Sequence, residues 1–211
     1  MFVLKICEEC DKIYIKGKEG RADVMPASNI TKNALAASLK QLMSAQPINK
    51  ISVGDICENC GMNRKSFYYH FKDKYDLVNW IFDTEFVDKV SHKKSEGSKE
   101  LFLDVCEYFY SERDFYRNAL NMTGQNSFKD YFRTRIYPIL KEMTSEIIET
   151  DEDSDFMVVF LTDALISSLI RWLNESKNQI PPKEFSDRIN RTILAISKAV
   201  IEKYNEATPA S

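Results

Sequence analysis

From Thr31 onward the apolar residues fall at helical spacing. Leu35, Leu39 and Leu42 share one face while Lys32, Lys40 and Gln41 lie on others, which predicts a helix over 31–44. Pro47 closes it. Ser52-Val-Gly-Asp55 is a capping-box pattern: the Ser hydroxyl accepts amide hydrogen bonds, and the acid sits at the positive end of the helix dipole. It opens a short second helix in which Ile56, Cys57 and Cys60 share a face. Gly61 then reverses the chain, and Asn63 is placed to cap a third helix whose apolar positions, Phe67 and Phe71, are four residues apart. Asp73 can cap a fourth helix from Lys74 to Val90, with Leu77, Ile81 and Trp80 facing inward, before a polar linker over 91–98. Further amphipathic helices are expected at 99–111, 114–121, 127–149, 154–176 and 183–205, with Pro138 expected to kink or interrupt the third of them.

The fold class expected is therefore all-α: an N-terminal unit of short helices joined to a larger C-terminal helical domain. The divisions are 1–28 as a flexible N-terminal extension, 29–82 as the head and 83–211 as the body. Met25 is a candidate natural start. Composition agrees, since 44% hydrophobic residues with only 6 Gly and 6 Pro in 211 argue against disorder and against a many-turned β fold. The longest uninterrupted apolar run, Phe156 to Leu161, is far short of the ~20 residues that cross a bilayer, so no membrane span is expected. Acids at Glu8, Glu9 and Asp11 stand where a secretory signal would be basic and then apolar, which points to the cytoplasm. A formal charge of −3 excludes coating of nucleic acid through bulk positive charge, but leaves room for a basic face.

Two short helices joined by a Gly turn, the second carrying Arg64, Lys65, Ser66, Tyr68, Tyr69 and His70, have the layout of a helix-turn-helix. The run from Ile51 to Leu77, with the helices on either side of it, closely resembles the TetR family of transcriptional regulators over about residues 28–82. It departs from the family pattern at Asn63, where Ser or Thr is usual, and at Lys65, where a small residue is common. Farther along, Arg113-Asp-Phe-Tyr116, Gly124-Gln-Asn-Ser-Phe128 and Ile170-Arg-Trp-Leu173 resemble the dihydroxyacetone-kinase regulator subgroup of that family. The start of a recognition helix enters the major groove while flanking groups hold phosphates. On that footing Arg64, Lys65 and Tyr69 are the candidate base readers, and Ser52, Tyr68, His70 and Lys74 the candidate phosphate contacts, as the resemblance also implies. Lys40, Lys50 and Lys89 are read as solvated surface.

One such module buries too little surface to find its site alone, so a homodimer on a (pseudo)palindromic double-stranded DNA operator is expected. The aliphatic faces of the last two helices, Leu161, Leu165, Leu169 with Ile189, Ile193, Ile196 and Val200, are the candidate dimer interface, in keeping with the family pattern. Aromatic density between the linker and the C-terminus suits either a packed core or a pocket for a small-molecule effector, and a partner protein on this surface is equally open. Two C-x-x-C pairs, Cys7/Cys10 and Cys57/Cys60, offer an alternative reading as a zinc- or thiol-redox-responsive regulator. Small residues stand at the positions of Cys57 and Cys60 in the family, which favours buried thiols. No resident metal or other cofactor is expected. With two His, no H-E-x-x-H, no Gly-rich phosphate loop and no G-x-S-x-G, no catalytic constellation can be assembled.

Overall fold

The computed structural model describes residues 27–92, 98–122, 124, 127–145, 152–176 and 180–207. Residues 1–26 of the expected N-terminal extension and 93–97 of the linker expected over 91–98 lie outside these, while 27–28, 91–92 and 98 are helical and so belong to the neighbouring elements. Among the described residues there are nine α-helices, one 3₁₀ turn and no strand. Helix α1 (Ala27–Ala45) begins four residues before the sequence pattern does. The reason is that Ser28, Asn29 and Ile30 are exposed and contribute nothing to the periodic face that starts at Leu35. After a 3₁₀ turn at Ile48–Lys50 come α2 (Val53–Asn59), α3 (Arg64–His70) and α4 (Lys74–His92).

Leu35, Leu39, Ile56, Phe67, Leu77, Val78 and Ile81, each excluded from solvent, lock these four helices together. Burying a side chain of this size contributes about 1.5–3 kcal/mol. Ser38 lets α1 approach α2 closely: its buried hydroxyl donates to the Ile56 carbonyl at 2.7 Å.

The body comprises α5 (Ser98–Ser111), α6 (Arg113–Leu120), α7 (Phe128–Ser145), α8 (Glu152–Asn174) and α9 (Pro182–Ala207). Helix α7 packs along α8, and α5 along α9. Helix α7 runs through Pro138 without interruption. The carbonyl that loses its donor belongs to Thr134, which is exposed, so water can replace the missing bond. Gly124, between α6 and α7, has φ +119°, a conformation that a side chain would strain.

The head and body share one continuous core. Phe82, Phe109, Tyr116, Phe128 and Phe132 interleave with ring centroids 4.3–6.4 Å apart. Much of the aromatic density read from the sequence is thus packing. Trp172 and Phe185 stack at 4.5 Å and join α8 to α9, while the Trp172 indole N–H donates to the Ile180 carbonyl.

Asp155–Asn174, which contains the longest uninterrupted apolar run, is by length and composition alone apolar enough to cross a membrane. Within the fold it is a packed helix. Asp163 pairs with Arg133 of α7, Lys141 pairs with Asp155 at 2.7 Å, and Ile166, Leu169, Trp172 and Leu173 are buried.

Candidate nucleic-acid interface

The local chemistry that builds α2 and α3 is complete within a few residues of each cap. Ser52 Oγ accepts from the Asp55 N–H at 3.1 Å, and the Ser52 N–H donates to Asp55 Oδ2 at 2.7 Å, which closes the capping box. The Ser52 N–H and then its hydroxyl hold the Asp55 carboxyl below the usual range, with the charges of Arg64 and Lys74 acting in the same sense. Gly61 turns the chain at φ +68°. Asn63 Oδ1 then accepts from the Ser66 N–H at 2.8 Å and from its hydroxyl at 3.1 Å, which starts α3 where the sequence placed it. Asp73 Oδ1 likewise accepts from the N–H groups of Tyr75 and Asp76.

Anchored by Phe67 on its inner side, α3 turns Arg64, Lys65, Tyr68 and Tyr69 outward. Tyr69 is 83% exposed and meets the His70 ring edge-on at 4.8 Å, leaving His70 half-buried. Tyr68 stands edge-on to Phe67 at 5.5 Å with its outer part in solvent. Ser52 is exposed beside this face.

Lys74 is different. Its ammonium donates to the carbonyls of Ile48 and Ile51, each at 2.7 Å, so two of its three N–H groups are engaged. Burial lowers its pKa despite the charges of Asp55 and Asp73. Lys40, read from the sequence as solvated surface, is corrected: it is half-buried and bridges Glu85 and Glu112, each at 2.9 Å. Burial opposes its charge, yet hydrogen bonds to and the charges of the two carboxylates outweigh burial and raise its pKa.

Two residues important to this face were not singled out in the sequence. Asn118 of α6 donates through Nδ2 to the carbonyls of Met43 and Gln46 and accepts from the Ile48 N–H, tying the body to the connection between α1 and α2. Gly54, in α2, lies directly beneath the Arg64 guanidinium. Its sequence signal was a glycine near the start of a helix where any other residue would favour the helix more. A groove of about 340 Å³ opens beside Asn118, between Gln46–Asn49 and Asn121, Met122 and Asn174.

Of the candidate dimer residues, Leu161, Leu165 and Ile189 are half-buried, Leu169 sits in the subunit's own core, and Ile193 and Ile196 are exposed; the Val200 side chain lies outside those described. The same two helices carry further exposed apolar groups that the sequence did not assign to the interface: Phe156 (72% exposed), Val159, Phe160 (62%) and Leu194 (60%). Cys57 is buried, and burial, then the neighbouring Cys60, raises its thiol pKa. The Cys60 thiol points at the Ile56 carbonyl, 3.2 Å away. Cys7 and Cys10 lie outside the described residues, and among those described no group of three His, Cys, Asp or Glu could hold a metal.

Residues 35–81 match the family described as bacterial regulatory proteins, tetR family, and residues 96–195 match one described as a transcriptional regulator C-terminal region. The chain is similar to the HTH-type dhaKLM operon transcriptional activator DhaS of Lactococcus lactis subsp. lactis (strain IL1403), with 25% identity over 133 residues, 63% of this chain and 68% of the relative. Among solved structures it is similar to the dihydroxyacetone kinase operon activator DhaS, with a TM-score of 0.58 and 22% identity over 81% of this chain and 97% of that one. NalD, the secondary repressor of the MexAB-OprM multidrug efflux pump in Pseudomonas aeruginosa, also matches, with a TM-score of 0.58 and 16% identity over 80% of this chain and 95% of that one. At such identities the likeness to solved structures shows the fold. The zinc- or thiol-responsive alternative finds no support among these relatives.

Proposed function

The chain belongs to the TetR family of DNA-binding transcriptional regulators, and we propose that it binds a two-fold operator as a homodimer through α3, in the cytoplasm. Residues 29–82 act as the DNA-binding head and 83–211 as the regulatory and dimerising body. Arg64, Lys65 and Tyr69 read base edges, and Ser52, Tyr68, His70 and Lys74 face phosphates, Lys74 with its one remaining N–H. The observation that carries this reading is the division of α3: Phe67 is fully buried, while Arg64, Lys65, Tyr68 and Tyr69 are exposed together on a helix capped at Asn63. A helix held in this way offers an ordered set of donors to the major groove.

Dimerisation is supported by apolar surface that one subunit leaves uncovered. Phe156, Val159 and Phe160 on α8 and Ile193, Leu194 and Ile196 on α9 are exposed, and large apolar side chains left uncovered on the last two helices suit burial against a second subunit. A small molecule or partner protein acting on the body changes operator affinity, and the DhaS relative supports placing the chain among activators of that subgroup.

A gel-shift series with the DNA upstream of the protein's own gene, at low and physiological salt, tests the DNA assignment. A retarded band that survives competitor DNA is expected, and retardation that competitor abolishes overturns site-specific binding. Sedimentation at micromolar concentration is expected to give a dimer, and a monomer would overturn that part.

A further inference from the structure

Gly54 is not explained by backbone conformation. The glycines with positive φ among the described residues are Gly61 and Gly124, so the backbone at 54 is one that any residue can adopt. In a helix of only seven residues a glycine is a cost relative to alanine, about 1 kcal/mol at an interior position. What glycine supplies here is space. A Cβ at position 54 would stand 3.2 Å from Cζ and Nε of Arg64 and closer still to Nη2. The guanidinium therefore lies against the bare backbone of α2, within electrostatic reach of the Asp55 carboxylate, whose own geometry is fixed by the Ser52 cap.

We propose that Gly54 is a specificity-determining positioning residue, a flat seat on α2 that holds the Arg64 guanidinium in a single arrangement relative to α3 before DNA arrives. Arg64 is otherwise exposed at the first position of α3, where a long side chain would sample many rotamers. The missing Cβ leaves the guanidinium room to lie flat on α2, within reach of the Asp55 charge. A guanidinium ordered in advance loses less freedom on meeting guanine O6 and N7, so more of the contact energy remains to discriminate bases.

This inference rests on the reading of Arg64 as a base contact. It is tested by binding-site selection and by titration of single-base operator variants with the full-length wild type, Gly54→Ala, Gly54→Ser, Arg64→Ala and the Gly54→Ala/Arg64→Ala double variant. Arg64→Ala should lose roughly 5- to 150-fold of preference at one base pair per half-site, the range expected of one good bidentate contact. Both Gly54 variants should relax preference at that same base pair and no other. The double variant should be no less selective there than Arg64→Ala alone. Thermal melts of the Gly54→Ala protein should be as high as wild type or higher, since alanine favours the helix. Serine adds the same Cβ with a weaker helix propensity, which separates the steric effect from a change in helix stability. Wild-type preference in both Gly54 variants, with Arg64→Ala relaxed, overturns the seat while leaving Arg64 as reader. Wild-type preference in Arg64→Ala overturns the base-reading assignment and the seat with it.

Discussion

Asn118 offers the sharpest test of how the body holds the head. Its carboxamide makes three hydrogen bonds across 70 to 75 residues of sequence: to the Met43 carbonyl at 3.0 Å, to the Gln46 carbonyl at 2.8 Å, and from the Ile48 N–H at 3.1 Å. Met43 and Gln46 carry carbonyls at the end of α1, and Ile48 opens the 3₁₀ turn, so these groups have few intrahelical partners of their own. Each neutral bond contributes about 0.5–1.5 kcal/mol, and the adjoining groove lets water replace some of them, so Asn118→Ala should cost about 2 kcal/mol. For a chain of this length that corresponds to a fall of about 4–8 °C in Tm. Asn118→Asp is the more telling variant. It keeps an acceptor for the Ile48 N–H but turns a carboxylate oxygen toward two carbonyl oxygens, so it should be less stable than Asn118→Ala at neutral pH. Those carbonyls raise the folded-state pKa of the new carboxyl above its unfolded value, so the deficit should shrink as pH falls through that raised pKa and a proton restores a donor. Thermal melts from pH 4 to 8, with operator titrations at pH 7, measure both effects. A Tm within 1 °C of wild type for Asn118→Ala, or Asn118→Asp no worse than alanine, would refute the reasoning.

Lys40→Met should destabilise by about 1–3 kcal/mol, because it leaves Glu85 and Glu112 facing each other without their shared cation while partial exposure softens the loss. Since the folded pKa of Lys40 lies above 10.5, its contribution in wild type is complete below that value and is lost as pH rises through the higher folded pKa, so the alkaline limb of a melt series should flatten in the variant. Phe160→Asp should give a folded monomer by sedimentation at micromolar concentration, with its circular dichroism spectrum retained; an unchanged dimer would move the interface elsewhere. In operator titrations, a dimer with four exposed head cations per subunit (Lys50, Arg64, Lys65, Lys72) and the remaining N–H of Lys74 should show a slope of log K against log salt no steeper than about −9.

What the sequence made legible is what closes locally. The Ser52–Asp55 box, the Asn63 cap and the Asp73 cap each join groups two or three residues apart, so residue type and spacing sufficed to place three helix starts. Phe67 and Phe71 were legible because burial follows the helical period. Lys40, Lys74 and Asn118 were not, since their partners lie 23 to 75 residues away and nothing in a short window distinguishes a bridging lysine from a solvated one. The surface of α8 was partly legible for a related reason. An aliphatic stripe ending in Leu169 marks the side of the helix that the subunit buries, but Phe156 and Phe160 fall roughly opposite Leu169 on the helix, and only packing shows that this second apolar side stays outside.

The same distinction changes what the charge of the head means. Residues 31–80 hold seven Lys and Arg against four acids, a surplus of three in a chain whose net charge is −3. Counted as a field, that surplus would favour DNA of any sequence. The structure divides the seven. Lys40 is neutralised by two carboxylates, Lys74 is spent on the carbonyls of Ile48 and Ile51, and Lys32 is half-buried with its ammonium 5.7 Å from the Trp80 ring centre. Only four stay exposed, and Arg64 and Lys65 among them stand on the recognition helix itself. Three of the four acids, Asp55, Asp73 and Asp76, are held by backbone N–H groups at helix starts, where they are needed for the fold and their charge is partly offset by the helix dipole. The head therefore lacks the free positive charge to hold DNA by attraction alone. Its affinity has to come from a few aimed contacts, which makes the placement of Arg64 over Gly54 and the rigidity of α3 more consequential than the charge total.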